Sequence, residues 1–139
     1  MDWKIFAIGS ALFAGLTAVL AKVGVKDVPS NLATLIRTGV IIIFLCFIVG
    51  LRHEWKNPLV LDRRCLAFLV LSGITTGLSW LCYYRALQGG PASVVAPIDK
   101  LSLAIAILLS VIFLGEHLNA FQWLGAGLIV TGTLVMIFK

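Results

Sequence analysis

Four charged residues stand within or at the edge of long uncharged runs: Arg37, Arg85, Asp99 and Lys100. A charge at the centre of a membrane span costs roughly 2.5 to 3.5 kcal/mol, so such a side chain faces a partner, a cavity or the headgroups. Asp99 is the only acid well inside a run, where it can serve as ion-pair partner or proton carrier, and it is expected to be the most sensitive residue. Lys100 follows it by one residue, roughly 100° around a helix, so the two are not expected to pair along one face. A cross-helix pair of Asp99 with Arg37 or Arg85 is the expectation instead. Pro97 cannot donate a hydrogen bond to the Ser93 carbonyl and opens the backbone two residues before Asp99, which fits a gating position or an ordinary proline of a first helical turn.

Small and polar residues recur at three-or-four spacing in three places: Ser10, Ala14, Thr17 and Ala21; Ser72, Thr76, Ser79 and Tyr83; Asp99, Ser102, Ala106 and Ser110. Each stripe alone is accounted for by close helix packing. Together, with one beginning at an intramembrane acid, they fit a water-accessible path better. Trp80, Tyr83 and Tyr84 form an aromatic belt by default and a ligand-stacking wall as the alternative. Catalytic chemistry has no foothold, because there is no phosphate-cradling loop, nucleophile elbow or His-Glu-x-x-His. His53-Glu54 and Glu116-His117 are turn residues without a ligating motif, and neither a metal nor a cofactor is expected. Cys46, Cys65 and Cys82 are far apart and read as packed free thiols.

The elements that must hold these residues follow from hydropathy. Of 139 residues, 60% are hydrophobic and 12% charged, about half the charge of a soluble domain. A soluble fold of this size could not bury that much apolar surface. The net charge of +5 does not point to nucleic acid, since the basic residues form no dense patch. Uncharged runs cover Ile5 to Ala21, Thr38 to Leu51, Cys65 to Tyr84, Leu101 to Gly115 and Leu118 to Phe138. The second and fourth are too short for a core of about 30 Å unless Arg37 and Asp99-Lys100 lie inside the membrane helix. Extended so, the predicted spans are 3–23, 30–51, 64–87, 93–114 and 119–138, in a single domain over residues 1–139. The chain reads as an all-α integral membrane protein. Asp27-Val-Pro-Ser, Asn57-Pro, Gly89-Gly-Pro and Gly115-Glu-His-Leu-Asn punctuate the spans, and Asn119 with Gln122 resembles a capping box. The first span is not expected to be a cleaved signal, given Asp2, its apolar length and the lack of an Ala-x-Ala site.

Five spans put the termini on opposite sides of the bilayer. One face then carries Lys4, Arg52, Lys56, Arg63 and Arg64, and the other Lys22, Lys26, Arg85 and Lys139. Five against four hardly chooses an orientation, which permits insertion both ways. Arg37, Arg85, Asp99 and Lys100 fall near the second face, Arg37 and Asp99 about 10 Å deep by helical rise and Arg85 shallow enough to snorkel. Three cations against one acid predict a mouth that favours an anionic or carboxylate-bearing solute.

Tyr84-Arg-Ala-Leu-Gln, Gly90-Pro-Ala-Ser-Val-Val-Ala-Pro-Ile-Asp-Lys-Leu-Ser, Phe113-Leu-Gly-Glu-His-Leu and Trp123-Leu-Gly-Ala-Gly-Leu-Ile-Val-Thr-Gly, with Ala33-Thr-Leu-Ile-Arg-Thr upstream, are motifs specific in combination. The chain resembles the EamA domain of the drug/metabolite transporter superfamily, in particular its short bacterial single-domain members. The resemblance implies a multi-pass protein of the inner (plasma) membrane and a five-helix half-unit of an inverted-repeat transporter. Larger relatives fuse two such units around a central cavity; here the partner must be another chain, a second copy or a related half-transporter. The first span carries no acid, unlike the four-helix small multidrug exporters that couple protons through a Glu there. The leading expectation is a secondary transporter of a small polar metabolite, acting as an antiparallel homodimer, with Asp99, Arg37, Lys100, Arg85, Tyr83, Ser79 and Ser102 binding substrate or ion and Pro97 gating. A non-transporting membrane subunit and half of a heterodimeric transporter are the alternatives. The small residues Gly125, Gly127, Thr131 and Gly132 are expected to form the surface that meets the partner.

Overall fold

Where lipid leaves a backbone amide no outside partner, the chain must satisfy its hydrogen bonds within each segment, and the apolar runs are accordingly helical. A computed structural model describes residues 2–56 and 61–137. It contains α1 (Trp3–Gly24), α2 (Ser30–Leu51), α3 (Arg63–Gly89), α4 (Ala92–Asp99), α5 (Leu101–Leu114) and α6 (Ala120–Ile137). No strand occurs among the described residues. Counting α4 and α5 as one stretch, five helices are long and apolar enough to cross a membrane. The Asn57-Pro turn, Phe138 at the end of the last predicted span and Lys139 lie outside the described residues.

The fourth predicted span departs from expectation. Residues 93–114 were expected as one helix, but α4 ends at Asp99 and α5 begins at Leu101. Pro97 removes one ladder bond and its ring displaces the preceding turn. Lys100 sits at φ −70° and ψ −8°, and the chain crosses the break on shorter-range bonds, Lys100 N–H to the Pro97 carbonyl (2.9 Å) and Leu103 N–H to the Lys100 carbonyl (3.0 Å). The turn after α5 depends on Gly115, whose φ of +66° is left-handed, and Glu116 N–H bonds the Ser110 carbonyl behind it at 3.3 Å. The capping box of α6 forms as read: Asn119 N–H donates to Gln122 Oε1 (2.8 Å) and Gln122 N–H to Asn119 Oδ1 (2.9 Å).

Two units are distinguishable, residues 1–22 with 90–139 and residues 23–89. In the second, α2 packs on α3, and the buried side chains Val25, Thr34, Tyr84 and Leu87 concentrate where α2 begins and α3 ends. Gln88 fixes that end, its Nε2 donating to the carbonyls of Val28 (2.7 Å) and Val25 (3.4 Å). In the first unit, α4 and α5 each pack on α6, and Lys22 Nζ donates to the Gly90 carbonyl at 2.8 Å. Most large apolar side chains remain exposed, among them Phe113 and Phe121 at 77% and 84%. In a bilayer such side chains meet lipid tails at no penalty, and helices associate instead through close packing of small residues.

Candidate functional site

Arg37 lies in the third turn of α2, and its guanidinium rests on aromatic rings of α3: 4.2 Å from the Trp80 ring centroid and 5.6 Å from that of Tyr84. Trp80 and Tyr84 are four residues apart and so share one helix face, which makes them a shelf. Among the described residues no carboxylate pairs with Arg37, so stacking holds the charge while its N–H edge keeps donors to offer. Two of the three aromatics thus carry Arg37. Tyr83 meets Tyr84 edge-on, with centroids 6.4 Å apart. Arg85 points elsewhere, into a cleft of about 450 Å³ that it shares with Ser30 and Asn31 at the start of α2.

In the other unit, Asp99 does have a partner, and it is the neighbour expected not to pair. Lys100 Nζ lies 3.6 Å from Asp99 Oδ2, with both side chains partly exposed. The physical reason is the helix break: at Lys100 the regular 100° step no longer governs direction, and a four-carbon stem can fold back. Such a pair contributes about 0 to 1 kcal/mol, so it is easily exchanged for another partner. Pro97 and Lys100 also line an apolar cleft of about 520 Å³ against Leu128, Gly132 and Thr133 of α6. A second cleft of about 310 Å³ is bordered by Ala104, Trp123, Gly127 and Thr131. Gly127, Thr131 and Gly132, expected to meet a partner, are thus turned at least in part toward α4 and α5 of their own chain.

The polar stripes divide by what their hydroxyls do. Thr17, Thr76 and Ser110 bond carbonyls three or four residues back in their own helices, at 2.8, 2.8 and 3.0 Å. Hydroxyls satisfied this way are compatible with lipid. Ser79 and Ser102 are exposed and make no such bond among the described residues, which leaves them available to a ligand. The cysteines are free but exposed, not packed, since membrane helices turn such side chains to lipid without cost.

Five helices long and apolar enough to cross a membrane define a multi-pass membrane protein. The chain matches the EamA-like transporter family over residues 1–138 and belongs to it. It is 48% identical over 135 residues to the "Uncharacterized transporter in cobO 3'region" of Sinorhizobium sp, covering 97% of this chain and 96% of that one. The "Uncharacterized protein MJ1333.1" of Methanocaldococcus jannaschii is 32% identical over 126 residues, 91% of this chain and 89% of its own. The "Uncharacterized transporter YwfM" of Bacillus subtilis is 29% identical over 136 residues, 95% of this chain but 44% of its own. No solved structure matches the chain significantly. The family resemblance read from the motifs is therefore right, and a membrane transporter is the class it supports.

Proposed function

We propose that the chain is a secondary transporter of a small polar metabolite in the plasma membrane, working as an antiparallel homodimer. The observation that carries this reading is length: 97% of this chain aligns with 96% of one relative named as a transporter and 95% with 44% of another, so two such units come close to the longer chain's length. Inverted repeats about a midplane site allow one half to rock against the other, and a copy inserted upside down reproduces that arrangement. The five-to-four division of Lys and Arg between the two faces is compatible with both orientations. Arg37 on its aromatic shelf and Arg85 in its cleft favour an anionic or carboxylate-bearing solute, Asp99 serves as exchangeable ion-pair partner or proton carrier, and Pro97 marks the gate.

The experiment is reconstitution into proteoliposomes, with Cys46, Cys65 and Cys82 replaced and a single cysteine at position 2 or 137. Flux of a carboxylate-bearing metabolite, with each labelled terminus reached by an impermeant maleimide from both sides, is the expected result. Flux with each terminus reached from one side only overturns the antiparallel homodimer. Absence of flux for every metabolite pool tested overturns transport by this chain alone.

A further inference from the structure

The cleft at the start of α2 is built from groups that donate hydrogen bonds. Its lining is Pro29, Ser30 and Asn31 of α2 and its approach, with Leu81, Cys82 and Arg85 of α3. No acidic side chain is among them. Pro29 precedes the helix without any side-chain cap, so no side chain among the described residues covers the first-turn N–H groups of α2. Ser30 is only 5% exposed, yet its hydroxyl bonds nothing among the described residues; only its carbonyl is engaged, by Thr34 Oγ1 at 2.9 Å. The Ser30 hydroxyl, on a residue otherwise nearly buried, opens onto the cleft and makes no bond of its own among the described residues. Arg85, one turn before the end of α3, brings a planar guanidinium whose fork suits oxyanions, and it too has no ion pair among the described residues.

We propose that this cleft is a binding site for a phosphate group, held by the Ser30 hydroxyl, the Asn31 side chain and first-turn amides of α2, and the Arg85 guanidinium. The positive end of a helix and a cation meet there on one anion. A phosphate offers these donors three or more acceptor oxygens where a carboxylate offers two. At about 450 Å³ the cleft exceeds a bare phosphate ion, and Pro29, Leu81 and Cys82 give it an apolar wall for a substituent. The ligand chemistry is a phosphate ester, carried by an anionic lipid headgroup or by a soluble phosphorylated molecule. The frame is rigid: the Gln88 bonds to the loop carbonyls, with Val25 and Leu87 at 1% and 0% exposure, fix the start of α2 against the end of α3. The cleft is separate from the Arg37 shelf, and although Arg85 also enters the transport reading, phosphate binding is measured independently of flux. Binding without flux leaves it standing, and flux without binding overturns it alone.

The test uses the purified full chain in a neutral detergent, with thermal unfolding as the readout. Inorganic phosphate is titrated against chloride at equal ionic strength, and in parallel mixed micelles carry phosphatidylglycerol or phosphatidylcholine. A ligand that binds only the folded protein raises its unfolding temperature. Stabilisation by inorganic phosphate assigns the site to soluble phosphates; stabilisation by phosphatidylglycerol alone assigns it to the lipid headgroup. In either case Arg85→Gln is expected to weaken binding at least tenfold, as for loss of a charge-assisted hydrogen bond. Lys26→Gln, which removes equal charge from an exposed position outside the cleft, is expected to change it less than twofold. Stabilisation by neither probe, or equal losses in the two variants, overturns the site. Should Ser30→Ala fail to fold, the Arg85→Gln and Lys26→Gln comparison alone decides.

Discussion

Gln88→Glu changes one atom pair and tests the joint between α2 and α3 more sharply than a truncation. The native amide donates to two loop carbonyls, Val28 at 2.7 Å and Val25 at 3.4 Å, from a half-buried position. Gln88→Leu removes one good bond and one marginal one, about 1 kcal/mol net, and leaves carbonyls with no donor at a further cost of about 1 to 2 kcal/mol. Gln88→Glu keeps the shape but directs a carboxylate at the same oxygens, so it loses the bonds and adds repulsion, for a total above that of the leucine variant. At about 4 °C per kcal/mol, the order of unfolding temperatures in detergent at pH 7 is wild type, then Gln88→Leu some 8 to 12 °C lower, then Gln88→Glu. A Gln88→Glu protein as stable as wild type at pH 7, or one more stable than Gln88→Leu, refutes the assignment of the Gln88 bonds.

Asn119→Ala opens the capping box of α6 and is expected to lower stability by about 1 kcal/mol, with Gln122→Ala costing less and the double variant less than the sum, read by chemical denaturation in micelles. Trp80→Leu takes away the nearer ring beneath Arg37 and is expected to raise the KM for a transported anion about 5- to 30-fold while Trp80→Phe gives an intermediate value, because a guanidinium no longer held must lose up to about 2 kcal/mol of rotamer freedom on binding. Equal KM values in all three proteins would remove the shelf from the site. Asp99→Asn keeps the shape and deletes the charge, and its proteoliposome flux is expected to fall at every pH; unchanged flux excludes the carboxylate from the transport cycle.

Charge and length made most of the fold legible. Residues 30–51 were read as a span only because 14 uncharged residues cannot cross a bilayer without taking in Arg37, and α2 occupies that range. The Asn119 and Gln122 box was legible because both partners lie within one turn. What escaped were consequences of register between helices. Nothing local places Trp80 instead of Tyr83 under Arg37, although the four-residue spacing of Trp80 and Tyr84 carried the signal of a shared face. Pro97 was recognised as an interruption, yet the position of the break at Lys100, and the Asp99 pair it permits, depend on how the chain recovers its ladder afterwards. Ser30 read only as part of the Asp27-Val-Pro-Ser turn; that it is nearly buried beside a cleft shared with Arg85 depends on how α3 packs against the start of α2.

The interruption at Lys100 divides one membrane crossing into arms of 8 and 14 residues, about 12 and 21 Å long at 1.5 Å per residue. A pivot at that point has mechanical advantage. Turning the longer arm by roughly 10° sweeps its far end through about 4 Å, more than the width of a water molecule, while atoms beside the pivot move by well under 1 Å. Residues at Asp99 could thus keep hold of a small solute while the Leu114 end of the same crossing swings by a distance comparable to the solute itself.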